Sequence, residues 1–321
     1  MKKIIALLLS LALFFGLFSG CTNKKQSNDD GKLNVLCTIF PEYDWAKNII
    51  GERINDVNLT MLLDDGVDLH SFQPSVDDLI KVSTCDLFIY VGGESDAWVS
   101  DALKQAVNKD MVVINLLDVL GDAVKQEELV EGMEGEEDEQ DEIEYDEHVW
   151  LSVKNAELFT TYIAEQLCAI DADFSDVYEA NAKNYIEKLE ALDKEFGETV
   201  NGAKRNVILF ADRFPFRYLI DDYALDYYAA FVGCSAETEA SFKTIAFLSS
   251  KVDELGLKSI ITLEGSEQKI AKTIIDNTAT KDQTILTLNS MQGITSADIA
   301  AGETYFSIMT ENLSVLNSAL N

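Results

Sequence analysis

Histidine is almost missing from this chain, with two in 321 residues, His70 and His148. There is no His-x-x-x-His pair of the metallopeptidase kind and no Gly-x-Ser-x-Gly elbow of a serine hydrolase, so the sequence argues against an enzyme. Basic residues are also scarce: 25 Lys and Arg against 57 Asp and Glu leave a formal charge of −32 at pH 7. Such a surface repels nucleic-acid phosphates and suits solubility or the attraction of cations, so no nucleic-acid partner is expected. The five cysteines fit neither Cys-x-x-Cys nor zinc-finger spacing. Cys37 and Cys85 fall in or beside apolar strand-like runs and Cys168 in an amphipathic helix, which reads as buried free thiols. Disulfides stay open for an exported protein. The apolar run Ile4–Phe18 is too short to span a bilayer comfortably.

That run follows Met1-Lys2-Lys3 and precedes Ser19-Gly20-Cys21, the plan of a secretory signal over residues 1–20. A cysteine directly after Ser-Gly resembles a bacterial lipoprotein cleavage site, which would make Cys21 the lipidated first residue. Residues 21–31 are polar and without periodicity, as expected of a flexible tether.

From Leu33 short apolar runs alternate with amphipathic ones. Strands are predicted at 33–39, 57–63, 87–91 and 112–115, and helices at 43–51, 75–84 and 96–107. This alternation is the signature of a parallel α/β sheet. Residues Glu127–Glu147 break it with 13 acids in 21 positions, a run expected to form a mobile, solvated loop that could collect cations weakly. A helix at 153–168 follows. Then Tyr178, Ala182, Tyr185, Leu189, Leu192 and Phe196 step by four and three, the stripe of an amphipathic helix capped by Ser175 or Asp176 and ended by Gly197. Such a rod, about 33 Å long at 1.5 Å per residue, can tie two lobes together. Alternation resumes with strands at 207–210, 225–231, 259–263 and 284–288 and helices at 237–255, 268–277 and 303–320. The expected fold is α/β: two α/β lobes with mostly parallel sheets, an N-terminal lobe 32–172, a linking helix 173–200 and a C-terminal lobe 201–321. Ligands of open parallel sheets collect at the carboxyl ends of the strands, which places the site in the cleft between lobes.

Both histidines lie in polar loops just before helices, and neutral imidazole is the commonest metal ligand. His70 stands in Gly66-Val67-Asp68-Leu69-His70-Ser71-Phe72-Gln73-Pro74-Ser75, and His148 in Asp146-Glu147-His148-Val149-Trp150-Leu151-Ser152-Val153-Lys154-Asn155. With Val91-Gly92-Gly93-Glu94 between them, these motifs resemble the zinc- and manganese-type substrate-binding proteins of metal ABC transporters, from about Lys32 onward. The resemblance implies two lobes joined by a backbone helix, His70 and His148 as the ligands of the first lobe, and a histidine or glutamate plus an aspartate from the second.

No histidine remains for the second lobe. Asp212, after its first strand, is the anionic group available there, with pairing to Arg213 or Arg217 as the alternative. Asn289 occupies the place where such proteins usually carry the aspartate. Glu264, at the end of the preceding strand, is a further candidate. Cys234-Ser235-Ala236-Glu237-Thr238-Glu239 reads as a helix start with acids in its first turn. Two imidazoles with one or two carboxylates suit zinc first and manganese next, with no organic cofactor. The resulting expectation is a monomeric lipoprotein on the extracytoplasmic face of the cell membrane, delivering a divalent metal to an ABC transporter permease. The alternatives are a divergent relative binding another solute or a surface partner, and a metal-dependent hydrolase.

Overall fold

Apolar runs of four or five residues bounded by polar turns are too short for helices and become strands. The computed structural model describes residues 31–134, 144–234 and 239–321. In the first half β1 (Leu33–Cys37), β2 (Val57–Met61), β3 (Leu87–Tyr90) and β4 (Val112–Asn115) form a sheet of order β2-β1-β3-β4. All its neighbours are parallel, with Leu33 opposite Val57, Val35 opposite Leu87 and Leu87 opposite Val112. Parallel strands need crossovers, and helices α1 (Phe40–Ile50), α2 (Val76–Thr84), α3 (Ala97–Lys104) and α4 (Leu116–Leu120) lie between or after them. Helices α5 (Val153–Ile170) and α6 (Ser175–Gly202) lead into the second half.

There β5 (Val207–Phe214), β6 (Asp226–Val232), β7 (Ser259–Leu263) and β8 (Thr284–Leu288) repeat the plan in the order β6-β5-β7-β8, again parallel. Their helices are α7 (Arg217–Asp222), α8 (Phe242–Leu255), α9 (Lys269–Asn277), α10 (Ser296–Ala301) and α11 (Tyr305–Leu320). The fold is therefore the expected pair of α/β lobes with a long helix between them.

The stripe on α6 is buried at each of its six predicted positions. The helix nevertheless runs 28 residues, about 42 Å, and passes through Gly197. An internal glycine costs only about 1 kcal/mol against alanine, and Val200 beyond it packs on the core. At the other end Ser175 is not the cap but the first helical residue. Near the middle of the molecule Trp45 of α1 meets Phe159 of α5 at 5.6 Å and Tyr305 of α11 at 5.2 Å between ring centroids. One hydrophobic core thus runs from the first sheet to the terminal helix, and Lys32–Asn321 is a single compact unit.

Three local expectations change. Strand β5 continues to Phe214, with a bulge between Phe210 and Arg213, because Arg213 and Phe214 pair onward with Phe231 and Val232. Helix α8 starts at Phe242 rather than Glu237, since Ser241 Oγ accepts from the Thr244 amide at 3.2 Å and supplies the cap. The flanks of the acidic run are ordered: Gln126 bridges Tyr145, and Glu134 bridges Phe231 at the edge of β6. The segment 135–143, the signal peptide 1–20 and the tether apart from Gly31 lie outside the described residues, and so does Cys21.

Candidate metal centre

The loops at the carboxyl ends of the strands of both sheets converge on one place. After β2, Asp68 accepts from the His70 amide at 3.0 Å and caps the short turn Leu69–Ser71, which fixes where His70 points. After β3, Gly92 and Gly93 have φ of +96° and +81°. Gly93 is required for a second reason, since a Cβ there would lie 2.2 Å from Glu147 Oε1. That close approach lets the Ser95 amide donate to Glu147 at 3.0 Å and puts Ser95 Oγ 2.8 Å from His70 Nδ1.

His148, wholly buried, sits two residues after Asp146, whose carboxylate accepts from the His148 amide at 2.8 Å and lies 3.0 Å from its Nδ1. Asp146 is braced from the other lobe, because Tyr218 Oη of α7 donates to its carbonyl at 2.9 Å. With both Nδ1 atoms engaged, the two Nε2 atoms face each other at 3.1 Å. Seventy-eight residues of chain separate them, so this meeting is a product of the fold.

The surrounding charges treat the rings differently. Burial, the neighbouring His148 and the Arg213 guanidinium push the His70 pKa down to about 3, against the pull of Asp68. Burial alone would also lower His148, but Asp146, Glu127 and Glu147 outweigh it and hold that ring above its ordinary value. Glu147 itself is raised by burial, and its Oε2 lies 3.7 Å from His70 Nδ1.

From the second lobe the structure brings different groups than the sequence suggested. Asp212 lies in the β5 bulge, its carboxylate accepting from the Leu263 amide at 3.3 Å and from the Arg213 amide at 3.0 Å. The arginine side chains do not hold it: Arg213 pairs with Asp68 at 2.9 Å, and Arg217 with Glu128 and Asp221. Glu264 accepts from the Ser290 amide at 2.7 Å and from Ser290 Oγ at 2.6 Å, which occupies both of its oxygens. Asn289 closes a turn onto the Met291 amide at 2.7 Å, its main chain clamped by Asn312. These three residues shape the turn after β8 and hold the end of β7.

What that turn presents is Gln292. With its nitrogen towards Asp68, donating at 2.5 and 3.0 Å to the two carboxylate oxygens, its oxygen lies 2.8 Å from His148 Nε2. Trp150, two residues after His148, donates from Nε1 to the Ser290 carbonyl at 2.9 Å and locks the same turn to the first lobe.

Among the described residues, the one group of three His, Cys, Asp or Glu side chains whose ligand atoms lie within 4.8 Å of one another is His70, His148 and Cys234. Cys234 lies two residues past the end of β6, after Gly233, and its amide donates to Glu127 at 3.1 Å. Burial, then Glu127, Asp146 and Glu147, push its thiol far above the ordinary range. The sequence reading missed both Gln292 and Cys234. The usable signal was position, since each stands a few residues beyond the end of a strand, where α/β sheets place their ligands. All four cysteines of the described residues are free, with Cys37 and Cys85 buried.

An imidazole pair in one lobe, His148 buried and His70 largely so, met by loops of a second lobe, is an arrangement that suits a solute-binding protein. Comparison with known proteins agrees. The family model described as zinc-uptake complex component A, periplasmic (ZnuA), matches residues 35–319, and the chain belongs to that family.

It is 32% identical to the zinc-binding protein AdcA of Streptococcus pyogenes, over 98% of this chain and 61% of the relative. It thus spans about three-fifths of the length of the streptococcal relatives it matches. It is 30% identical to the high-affinity zinc uptake system protein ZnuA of Bacillus subtilis, over 97% of this chain and 96% of that one. Among solved structures, the Zn(II)-bound ZnuA-like domain of Streptococcus pneumoniae AdcA superposes with a TM-score of 0.71 at 29% identity, covering 90% of this chain and 99% of that one. The metal-dependent lipoprotein YcdH of Bacillus subtilis gives 0.73 at 27%, again over 90% and 99%.

Proposed function

We propose that this protein captures a divalent transition metal, zinc before manganese, between its lobes and delivers it to the permease of an ABC transporter. The observation that carries the reading is the pair of Nε2 atoms at 3.1 Å, each ring held from behind by Asp146 or Ser95. Two imidazoles so oriented aim their remaining lone pairs at one point, and a cation can replace the proton they otherwise share. A carboxylate or hydroxyl behind a ligating imidazole fixes its tautomer and raises its basicity, as at metal sites generally. Gln292 would add a neutral oxygen from the second lobe.

In this reading residues 32–172 and 201–321 are the two lobes and 173–200 their tie. Cys21 carries the lipid that holds the protein, acting as a monomer, at the extracytoplasmic face of the membrane. No reaction is catalysed, because the cargo leaves as it arrived. Metal analysis of protein purified without chelator or affinity tag tests the reading, together with melting curves in zinc and in manganese. Binding stabilises the folded state by mass action, by roughly 2.7 kcal/mol at a metal concentration 100 times Kd. The wild type should gain melting temperature and His70→Ala should gain much less. No stabilisation by either metal would overturn the proposal.

A further inference from the structure

Cys234 is placed beside the imidazole pair by two features with no other evident purpose. Gly233 lies so close to His148 that a Cβ there would be 3.0 Å from the ring Cε1 and 2.9 Å from the Phe214 carbonyl oxygen. Only glycine lets the end of β6 lie against that ring and deliver the next residue to its edge. The Cys234 amide is then held by Glu127 at 3.1 Å, which orients the turn. A cavity of about 280 Å³ opens onto Cys234 and His70 between Glu94, Ser95, Tyr145 and Glu147, an acid-lined route for a cation.

We propose that Cys234 binds the cargo ion through its sulfur together with His70 and His148, and that this ligand tilts the site towards zinc and away from manganese. The proposal rests on the metal-receptor reading above and specifies its second-lobe ligand. Ligand atoms roughly 2.0 to 2.3 Å from a tetrahedral zinc stand about 3.3 to 3.6 Å apart. The Nε2 atoms stand at 3.1 Å, and the Cys234 sulfur lies within 4.8 Å of a nitrogen of each ring, so a small side-chain adjustment brings it to that spacing. With the Gln292 oxygen facing His148 Nε2, two nitrogens, one sulfur and one oxygen make four donors. On binding, the S–H bond breaks, its proton leaves to water and a sulfur–metal bond forms, with no change of oxidation state. Thiolate favours zinc, whereas manganese prefers oxygen donors.

Cobalt(II) titration of the full chain, as wild type, Cys234→Ser and Cys234→Ala, reads the bond directly. The wild type should show an intense sulfur-to-cobalt charge-transfer band in the near ultraviolet beside the visible d–d bands of bound cobalt. Both variants should lose it while keeping the wild-type circular dichroism. The remaining cysteines are common to all three proteins and cancel. Competition between zinc and manganese should show the zinc preference falling by more than the roughly 10- to 100-fold that an outer hydrogen-bond partner is worth. Cobalt d–d bands without a sulfur band in the wild type overturn the assignment of Cys234 and leave the receptor reading standing. A sulfur band that persists in a folded Cys234→Ala protein also overturns it. Failure of cobalt, zinc and manganese alike to bind the wild type overturns both readings.

Discussion

At 3.1 Å between their Nε2 atoms, His70 and His148 can hold one proton between them but not two, since a second positive charge would sit against the first in a buried site. The environment favours that proton on His148, held up by three carboxylates, while burial, His148 and Arg213 hold His70 well below the ordinary imidazole range. Unperturbed histidines would instead titrate together near 6.5. Measured in Cys234→Ala, where the imidazoles alone compete with protons, metal affinity should fall as pH drops through the raised His148 value, by about tenfold per pH unit for one displaced proton. Isothermal titration between pH 5 and 9 checks this, and a fall of two protons starting near 6.5 would show two independent rings. A different buried acid makes the opposite kind of test. Glu42 Oε2 accepts from Thr38 and Ile39, and burial with the nearby Asp96 raises its pKa to about 8. A folded-state value above the unfolded one of about 4.3 means stability is full below that pH and is lost as pH rises through 8. Glu42→Gln keeps the neutral shape, so its melting temperature should be flatter with pH and exceed the wild type by at least about 2 °C at pH 9.

Among the elements, the strands and the linking helix could be read because their signals are local: a short apolar run or a stripe at helical spacing. The end of β5 could not, because Asp212-Arg213 is a polar pair whose strand state depends on Phe231, far along the chain. Asp212, placed in the candidate set because it reads as the anionic group after that strand, lies instead within the bulge, its carboxylate taking the Leu263 and Arg213 amides. The acidic run is the other case, since its composition says solvated while its flanks are pinned by Glu127 to Cys234, Glu128 to Arg217 and Glu134 to the Ser241 amide. The flanks thus build contacts around the site, and the proposal that the run collects cations is tested separately on the remainder. Replacing residues 135–143 by a Gly-Ser linker should leave tight metal affinity within about threefold and remove only weak sites. Glu127→Ala should lower affinity by roughly 10- to 100-fold, the usual cost of an outer partner. Calorimetry of the two variants separates them, and equal losses would mean that the run acts as one unit.

For the whole molecule, alternation and the long helix were enough to indicate two α/β lobes, but which surfaces meet across the cleft was not encoded in any spacing. The meeting is made by Trp150 on the Ser290 carbonyl, by Ser296 donating from its amide to the Asp64 carbonyl at 2.9 Å, and by the ion pair of Arg213 with Asp68 at 2.9 Å. The last of these is the one directly over the site, since Asp68 also caps the His70 turn and takes the Gln292 amide. Arg213 thus does two opposed things. On the metal-receptor proposal its charge would repel an incoming cation, and its bond to Asp68 would hold the lobes shut over one already captured. Both side chains of the pair are a quarter exposed, so the bond is worth at most about 1 kcal/mol, or roughly fivefold in rate. Arg213→Gln should accordingly speed metal loss by up to about fivefold and speed capture as well, leaving Kd nearly unchanged and the melting temperature within about 2 °C. Stopped-flow measurements with a metal-sensitive dye resolve the two rates, and raised ionic strength should move the wild type towards the variant because a partly exposed pair is screened. A variant whose release rate is unchanged would show that the lobes are held by Trp150 and the core beneath it rather than by this pair.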